Sequence, residues 1–209
     1  MVKLQGPMFS LAASGTLAKT LTYSHWKGRA FARRRIIPGN PQSAGQVSLR
    51  SMFAFLGSEW GALATVDQDT WAAPAARTII SPFNAFCASG LDRNRSFLAP
   101  SQTYPPTPTS APQDVSVFIA FGGVRQTSIF MNVGGAGATA WGILLFQSTS
   151  SGFTPAFSNL VAVVPAAGPA AVVVTNRPLT PDTYYYDAKS FSADGFIGSL
   201  KGEISAVAT

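Results

Sequence analysis

Residues 179–195 read LTPDTYYYDAKSFSADG, and this stretch contains the clearest fold signal in the chain. Its central run, residues 183–191, is rich in aromatic residues and lies between Pro181 and the turn pair Asp194-Gly195. Aromatic and β-branched residues bounded by turn residues are typical of a β-strand. We therefore predict a strand over 183–191.

Six further segments of the same kind lie in the second half of the chain, separated by clusters of Gly, Pro, Ser and Asn. Seven short strands within roughly 100 residues form the pattern of an immunoglobulin-like or fibronectin-like sandwich. The predicted strands are 115–121, 127–133, 140–147, 160–164, 171–175, 183–191 and 198–207.

A local motif adds to this prediction. Residues 179–185, LTPDTYY, resemble the Leu-x-Pro-x-Thr-x-Tyr run that precedes strand F of fibronectin type III domains. The resemblance implies that Tyr185 is the tyrosine-corner residue, whose hydroxyl bonds back to the backbone of the preceding loop. It also places Trp141 where a core tryptophan would lie on strand C. Both residues are thus predicted to have structural roles.

The boundary of this sandwich is predicted from composition. Residues 99–113 read APSQTYPPTPTSAPQ, with five prolines. Such a segment cannot form a helix or a central strand, and it is typical of an extended, polyproline-like linker. We predict an N-terminal anchoring domain over 1–100, a proline-rich linker over 101–112 and the sandwich over 113–209.

The first half combines strand and helix patterns. Period-two alternation over 17–26 and 29–37 predicts a β-hairpin that turns at Lys27-Gly28. Apolar residues at three- and four-residue steps over 47–63 predict an amphipathic helix, and two more helical segments follow before residue 98. The predicted fold class is α+β: an N-terminal hairpin and small helical unit, then an all-β sandwich.

Positive charge is concentrated in the hairpin. The chain has a net charge of +6, and residues 19–35 hold six Lys and Arg with no acid among them. Such a block is typical of an interaction arm. We predict docking on an acidic protein surface; nucleic acid is a less favoured partner, since no known nucleic-acid module follows. The predicted docking residues are Trp26, Lys27, Arg29, Phe31, Arg33, Arg34 and Arg35.

Several classes of chemistry are disfavoured by composition. His25 is the only histidine and Cys87 the only cysteine, so the chain has neither a disulfide framework nor the residues for a zinc site. Cys87, beside Phe86, is expected to be a small buried hydrophobe. The longest apolar run, residues 160–174, is broken by Pro and Gly and too short for a transmembrane helix. We predict no catalytic, cofactor or metal site, no enzymatic activity and no membrane partner.

The order of patterns in the first hundred residues resembles a family of tailed-bacteriophage virion proteins. The matching segments are FSLAASGTL (9–17), LTYSHWKGR (21–29), the arginines at 33–35, PGNP (38–41) with its Asn-Pro helix start, Trp60, Trp71 and ISPFNAF (80–86). The resemblance implies a structural component of the capsid, neck or tail. It also implies synthesis in the host cytoplasm, residence in the virion, contacts with other virion proteins and homo-oligomeric assembly.

A second function class is a host-surface or glycan-binding module of the particle. It would use aromatic side chains on the sandwich loops, namely Phe153, Phe157 and Phe196. Binding of host cells by the sandwich would favour this class, whereas co-assembly of the first half with virion proteins would favour the structural one.

Overall fold

The fold is mostly β with some helix, and the named strands pair antiparallel. It forms two compact units, residues 1–41 and 42–209. The computed structural model describes residues 2–4, 15–17, 20–26, 29–37, 39, 43–166 and 171–209. The strands and helices are β1 (Val2–Leu4), β2 (Gly15–Leu17), β3 (Leu21–Trp26), β4 (Arg29–Arg34), α1 (Ala44–Trp60), α2 (Thr65–Asp69), α3 (Ala72–Thr78), α4 (Pro82–Arg95), β5 (Asp114–Gly123), β6 (Gln126–Gly134), β7 (Ala140–Ser148), β8 (Leu160–Pro165), β9 (Val172–Asn176), β10 (Asp182–Ser192), β11 (Ile197–Leu200) and β12 (Ile204–Ala208).

The N-terminal unit is a four-stranded sheet in the order β1-β4-β3-β2. The predicted hairpin is confirmed: β3 and β4 pair from Leu21 opposite Arg34 to Trp26 opposite Arg29. The predicted turn, Lys27-Gly28, and the Asn-Pro helix start at 40–41 lie outside the described residues. Helix α1 itself begins at Ala44, with Ser43 in extended backbone before it.

The second unit contains two sheets that enclose a hydrophobic core. One has the order β5-β6-β9; in the other, β11-β10-β7-β8, the first half of β10 also pairs with β12. Six predicted strands agree with observed ones to within two residues. The seventh, 198–207, is two strands, because the chain turns at Gly202 (φ +106°). Core residues include Val115, Phe118, Ile129, Met131, Val133, Ile143, Leu145, Tyr184, Tyr186 and Ala188.

The helices cover the outer face of the five-stranded sheet, where they form a second hydrophobic core. The ring of Phe55 on α1 lies 5.0 Å from that of Trp141 on β7 and 5.5 Å from that of Phe191 on β10. Trp141 is buried as predicted, but it faces the helices rather than the interior between the sheets. Its Nε1 donates a hydrogen bond to Glu59 Oε2 on α1 at 2.8 Å.

The proline-rich segment, residues 99–112, is bound to its neighbours on both sides. The backbone N–H of Gln102 donates to Ala193 O at 2.8 Å, and Gln102 O accepts from Trp71 Nε1 at 2.8 Å. The segment forms no helix, as its proline content predicts, and these bonds attach it to both the sandwich and the helices. The division of the chain therefore differs from the predicted one: the helices and sandwich are one unit, and the boundary lies at residue 41.

The tyrosine-corner assignment requires a correction of one residue. The hydroxyl of Tyr184, not Tyr185, donates to Thr180 O at 3.0 Å and lies 2.9 Å from Thr180 Oγ1. Strand alternation explains the shift, since Tyr184 and Tyr186 face the inner core and Tyr185 points to the opposite face. Tyr185 is half-buried there.

Candidate docking interface

The N-terminal sheet places its basic residues on both of its faces. Along β4, side chains alternate, so Arg29 and Arg33 share one face with Phe31, whereas Arg34 lies on the other. Arg35 follows the end of the strand, and its backbone N–H donates to Thr20 O at 2.7 Å. The arginine run that appears as a single patch in the sequence is therefore split between two surfaces.

Of the remaining predicted docking residues, the structure describes the strand positions of Trp26 and Phe31 but not that of Lys27. Trp26 lies on β3 at the register position opposite Arg29. Lys27 lies outside the described residues. Phe31 is half-buried in the centre of β4, opposite Ser24. The sheet thus places Trp26, Arg29, Phe31 and Arg33 on two adjacent strands.

Apolar side chains of the N-terminal unit are left exposed to solvent. Every residue of 1–41 whose exposure is defined is half-buried or exposed. Leu21 is 39% exposed, and Ile36 and Ile37 are 72% and 78% exposed. Because burial of apolar surface is favourable, another surface that covers Ile36 and Ile37 would stabilise this unit. Ile36 and Ile37 were not among the predicted docking residues, although two adjacent isoleucines directly after an arginine run are a visible signal in the sequence.

The net positive charge of the protein comes from the same unit. Residues 1–41 contain seven Lys and Arg and no Asp or Glu, whereas residues 42–209 contain eight and nine. Arg29, Arg33, Arg34 and Arg35 are all exposed. Because the unit has no carboxylate side chain, none of these guanidinium groups can form an ion pair within it. The result is an uncompensated cationic surface suited to a negatively charged partner.

The aromatic residues of the alternative binding function do not form one exposed cluster. Phe153 packs against the core between helices and sheet. Phe157 lies beside the start of α1, where its ring is the nearest group to a Cβ placed on Gly45. Phe196 lines a cleft near the end of β10. All three side chains are half-buried, so their rings are largely engaged by the protein itself.

Burial raises the pKa values of two titratable groups in the second unit, Cys87 and Asp187. Cys87 is buried as expected, and burial raises the pKa of its thiol to about 11. Burial also raises the pKa of Asp187, although its Oδ1 accepts hydrogen bonds from Ala188 N and Gly202 N. Within the described ranges, no group of three His, Cys, Asp or Glu side chains could hold a metal ion. Nor does any described helix have the length and apolar character needed to cross a membrane.

Comparison with known proteins gives weak structural likeness only. No protein-family model matches the chain, and no curated protein matches it. Among solved structures, it is similar to the PKD domain of an M14-like peptidase from Thermoplasmatales archaeon SCGC AB-540-F20. The identity is 13% and the TM-score 0.30, over 49% of this chain and 98% of that domain.

Proposed function

We propose that the protein is a structural component of a tailed-bacteriophage virion that docks through the sheet of residues 1–41 and presents the unit of residues 42–209. The observation that carries the docking role is the N-terminal unit itself: its sequence has seven Lys and Arg and no acid, and its residues of defined exposure are all half-buried or exposed. The virion assignment rests on the resemblance of residues 9–86 to the phage family.

The sandwich is assigned in this proposal to the immunoglobulin and fibronectin type III class. Two antiparallel sheets that enclose one core support that assignment. So does the hydrogen bond from the Tyr184 hydroxyl to Thr180 O, since a tyrosine bonded a few residues upstream is a hallmark of the class. In a virion, such a module needs no reaction centre; it supplies a stable surface.

The docking partner is an acidic protein surface. Arginine is suited to it because the planar guanidinium binds carboxylates through two parallel hydrogen bonds. Exposed charges at the rim accelerate association and make it salt-sensitive. Phe31 and the exposed isoleucines Ile36 and Ile37 would supply the apolar part of the contact, where most binding energy is usually found.

Incorporation into particles tests this proposal. A triple variant, Arg33→Ser, Arg34→Ser and Arg35→Ser, removes three cations from the docking sheet. The matched control removes three exposed cations from the other unit: Arg77→Ser, Arg125→Ser and Arg177→Ser. The amount of each variant in purified particles is measured by quantitative mass spectrometry. We expect the docking variant to fall by at least about tenfold, the ratio that a binding loss of about 1.4 kcal/mol produces, and the control to match wild type.

Three outcomes would contradict the proposal in different ways. If both variants incorporate at the wild-type level, the sheet does not dock. If incorporation depends on the arginines but nuclease treatment of disrupted particles releases the protein, the partner is nucleic acid. If the wild-type chain is absent from particles and its second unit binds host cells, the host-surface or glycan-binding function is favoured. The predictions of no catalysis and no cofactor stay predictions.

A further inference from the structure

A cleft of about 380 Å³ lies where α4 ends, beside β10 and the turn into β11. Most of its wall is apolar. The apolar lining residues are Phe97, Leu98, Pro108, Phe196 and Ile197. Leu98 is 48% exposed at the mouth of the cleft. A volume of this size falls within the lower range of small-molecule sites.

The two charged side chains that line this cleft are both cationic. Arg93 is already used as a structural donor: its Nε binds Ala99 O, and its Nη2 donates to Gly195 O at 3.1 Å. Lys189 is different, because its Nζ lies 5.3 Å from the centroid of the Phe97 ring and donates to no carboxylate within 4.0 Å. In the described part of the chain, the one ion pair at that range is Arg95 with Asp92.

The nearby carboxylates are engaged with the backbone instead of Lys189. Asp187, two residues along the same strand, accepts from Ala188 N and Gly202 N. Asp194, in the turn after β10, accepts from Thr109 N and Ser110 N at 3.0 and 2.9 Å. The half-buried Lys189 ammonium group therefore lines the cleft without an ion pair within 4.0 Å, and the Asp187 carboxylate acts on it only at longer range.

We propose that this cleft binds an apolar carboxylate, with the negative group at Lys189 and the apolar group between Phe97, Phe196 and Ile197. Charge complementarity selects the anion, since Lys189 supplies a positive charge at the wall that forms no ion pair within 4.0 Å. The aromatic and aliphatic lining favours a ring or short chain over a sugar, whose hydroxyls would find few partners there. This inference does not depend on the proposed docking function.

Two matched probes test the site in the full-length protein: 4-phenylbutyrate, which has the charge, and 4-phenyl-1-butanol, which does not. Binding is measured by isothermal titration calorimetry and by the shift of the Gly195 amide in nitrogen-edited NMR spectra. We expect the carboxylate to bind about tenfold more tightly than the alcohol, as a charge-assisted contact would give. Lys189→Met should remove that preference, and Lys189→Arg should retain most of it.

Controls separate a specific site from general attraction. Lys201→Met removes an exposed cation of the same unit and should leave both affinities within about twofold of wild type. Phe196→Ser should weaken both probes equally, because it alters the apolar wall they share. Equal binding of the two probes, an undiminished preference in Lys189→Met, or no Gly195 shift with either probe would each overturn the proposal.

Discussion

The two outer faces of the sandwich differ in what covers them. On the five-stranded sheet, Trp141, Phe146 and Phe191 lie under the helices and are at most 7% exposed. On the three-stranded sheet, Ile119 and Phe121 are 48% and 55% exposed, in a unit whose helices all lie on the other side. Burial of the outer face of the five-stranded sheet therefore stabilises the fold, whereas the outer face of the three-stranded sheet leaves apolar side chains in contact with water.

The sequences of the central strands already contain this difference. Residues 140–146 on β7, AWGILLF, are buried without interruption, as expected for a strand covered on both faces. On β6, QTSIFMNVG, buried and half-buried residues alternate. A continuous apolar run thus predicts a covered outer face, and alternation predicts a bare one.

The largest expected effect is that of Trp141→Ala. The substitution removes ring contacts with Phe55 and Phe191 at 5.0 and 5.7 Å, and it leaves Glu59 without its indole donor. We expect the free energy of unfolding in urea to fall by about 3–5 kcal/mol. Phe121→Ala, at the bare face, is the matched control and should lower it by less than about 1 kcal/mol. Equal losses would show that the two faces are equivalent, contrary to the comparison.

A smaller effect is expected from Gly142→Ala, on the covered face of β7. A Cβ at this position would lie 2.4 Å from Phe191 Cζ and 3.0 Å from Val164 O, so the packed aromatic ring must move. We expect a loss of about 1–3 kcal/mol of unfolding free energy. Gly57→Ala, in α1 with no atom within 4 Å of the added methyl, should instead stabilise the protein by about 0.5–1 kcal/mol. A neutral Gly142→Ala would mean that the helix layer is loosely packed.

How far the sequence predicts this arrangement depends on the range of each signal. Strand positions and the cap of α4 are local signals: Ser81 followed by Pro82 is a typical helix start, and Ser81 Oγ accepts from Asn84 N. The covered face was missed, because which sheet face the helices occupy depends on contacts between residues far apart in the chain, such as Phe55 with Trp141.

The attachment of the proline-rich segment was missed for the same reason. Proline composition predicts that the segment forms no helix, and it forms none, but composition does not show that Asp194 lies beside residues 109–110. At the docking sheet, charge was predictable from the arginine run. Its distribution over two faces required the register, in which Arg34 pairs with Leu21.

Asp194 gives an effect that depends on pH. Burial alone would raise its pKa, but hydrogen bonds from Ser192, Thr109, Ser110 and Phe196 outweigh burial and hold the pKa well below its ordinary value of 3.8. A carboxyl group whose folded pKa is depressed stabilises the fold above its unfolded pKa and loses that contribution as pH falls through the folded pKa.

The measurement compares wild type with Asp194→Asn by urea unfolding across pH. The difference in unfolding free energy should be constant, at about 1–2 kcal/mol, near pH 7, where the carboxylate is ionised in both states. It should shrink as the pH falls below about 4, because the unfolded carboxyl then takes up a proton. If the difference in unfolding free energy between wild type and Asp194→Asn instead grew towards low pH, the hydrogen bonds to Asp194 would not stabilise its ionised form, contrary to this prediction.

The smallest expected effect is that of Ile119→Thr, at the centre of the bare face. Ile119 lies opposite Phe130 in the register, and 48% of it is in contact with solvent, so the substitution gives up little buried area and keeps a β-branched side chain. We expect the unfolding free energy to change by no more than about 0.5 kcal/mol. A loss above about 2 kcal/mol would show that a surface outside this unit covers the face in the native protein. The same measurement, repeated over roughly a hundredfold range of protein concentration, would identify that surface, because the stability of a dimer depends on concentration. If the loss of unfolding free energy varies with concentration, a second copy covers the face. If the loss is constant, the chain's own residues cover it.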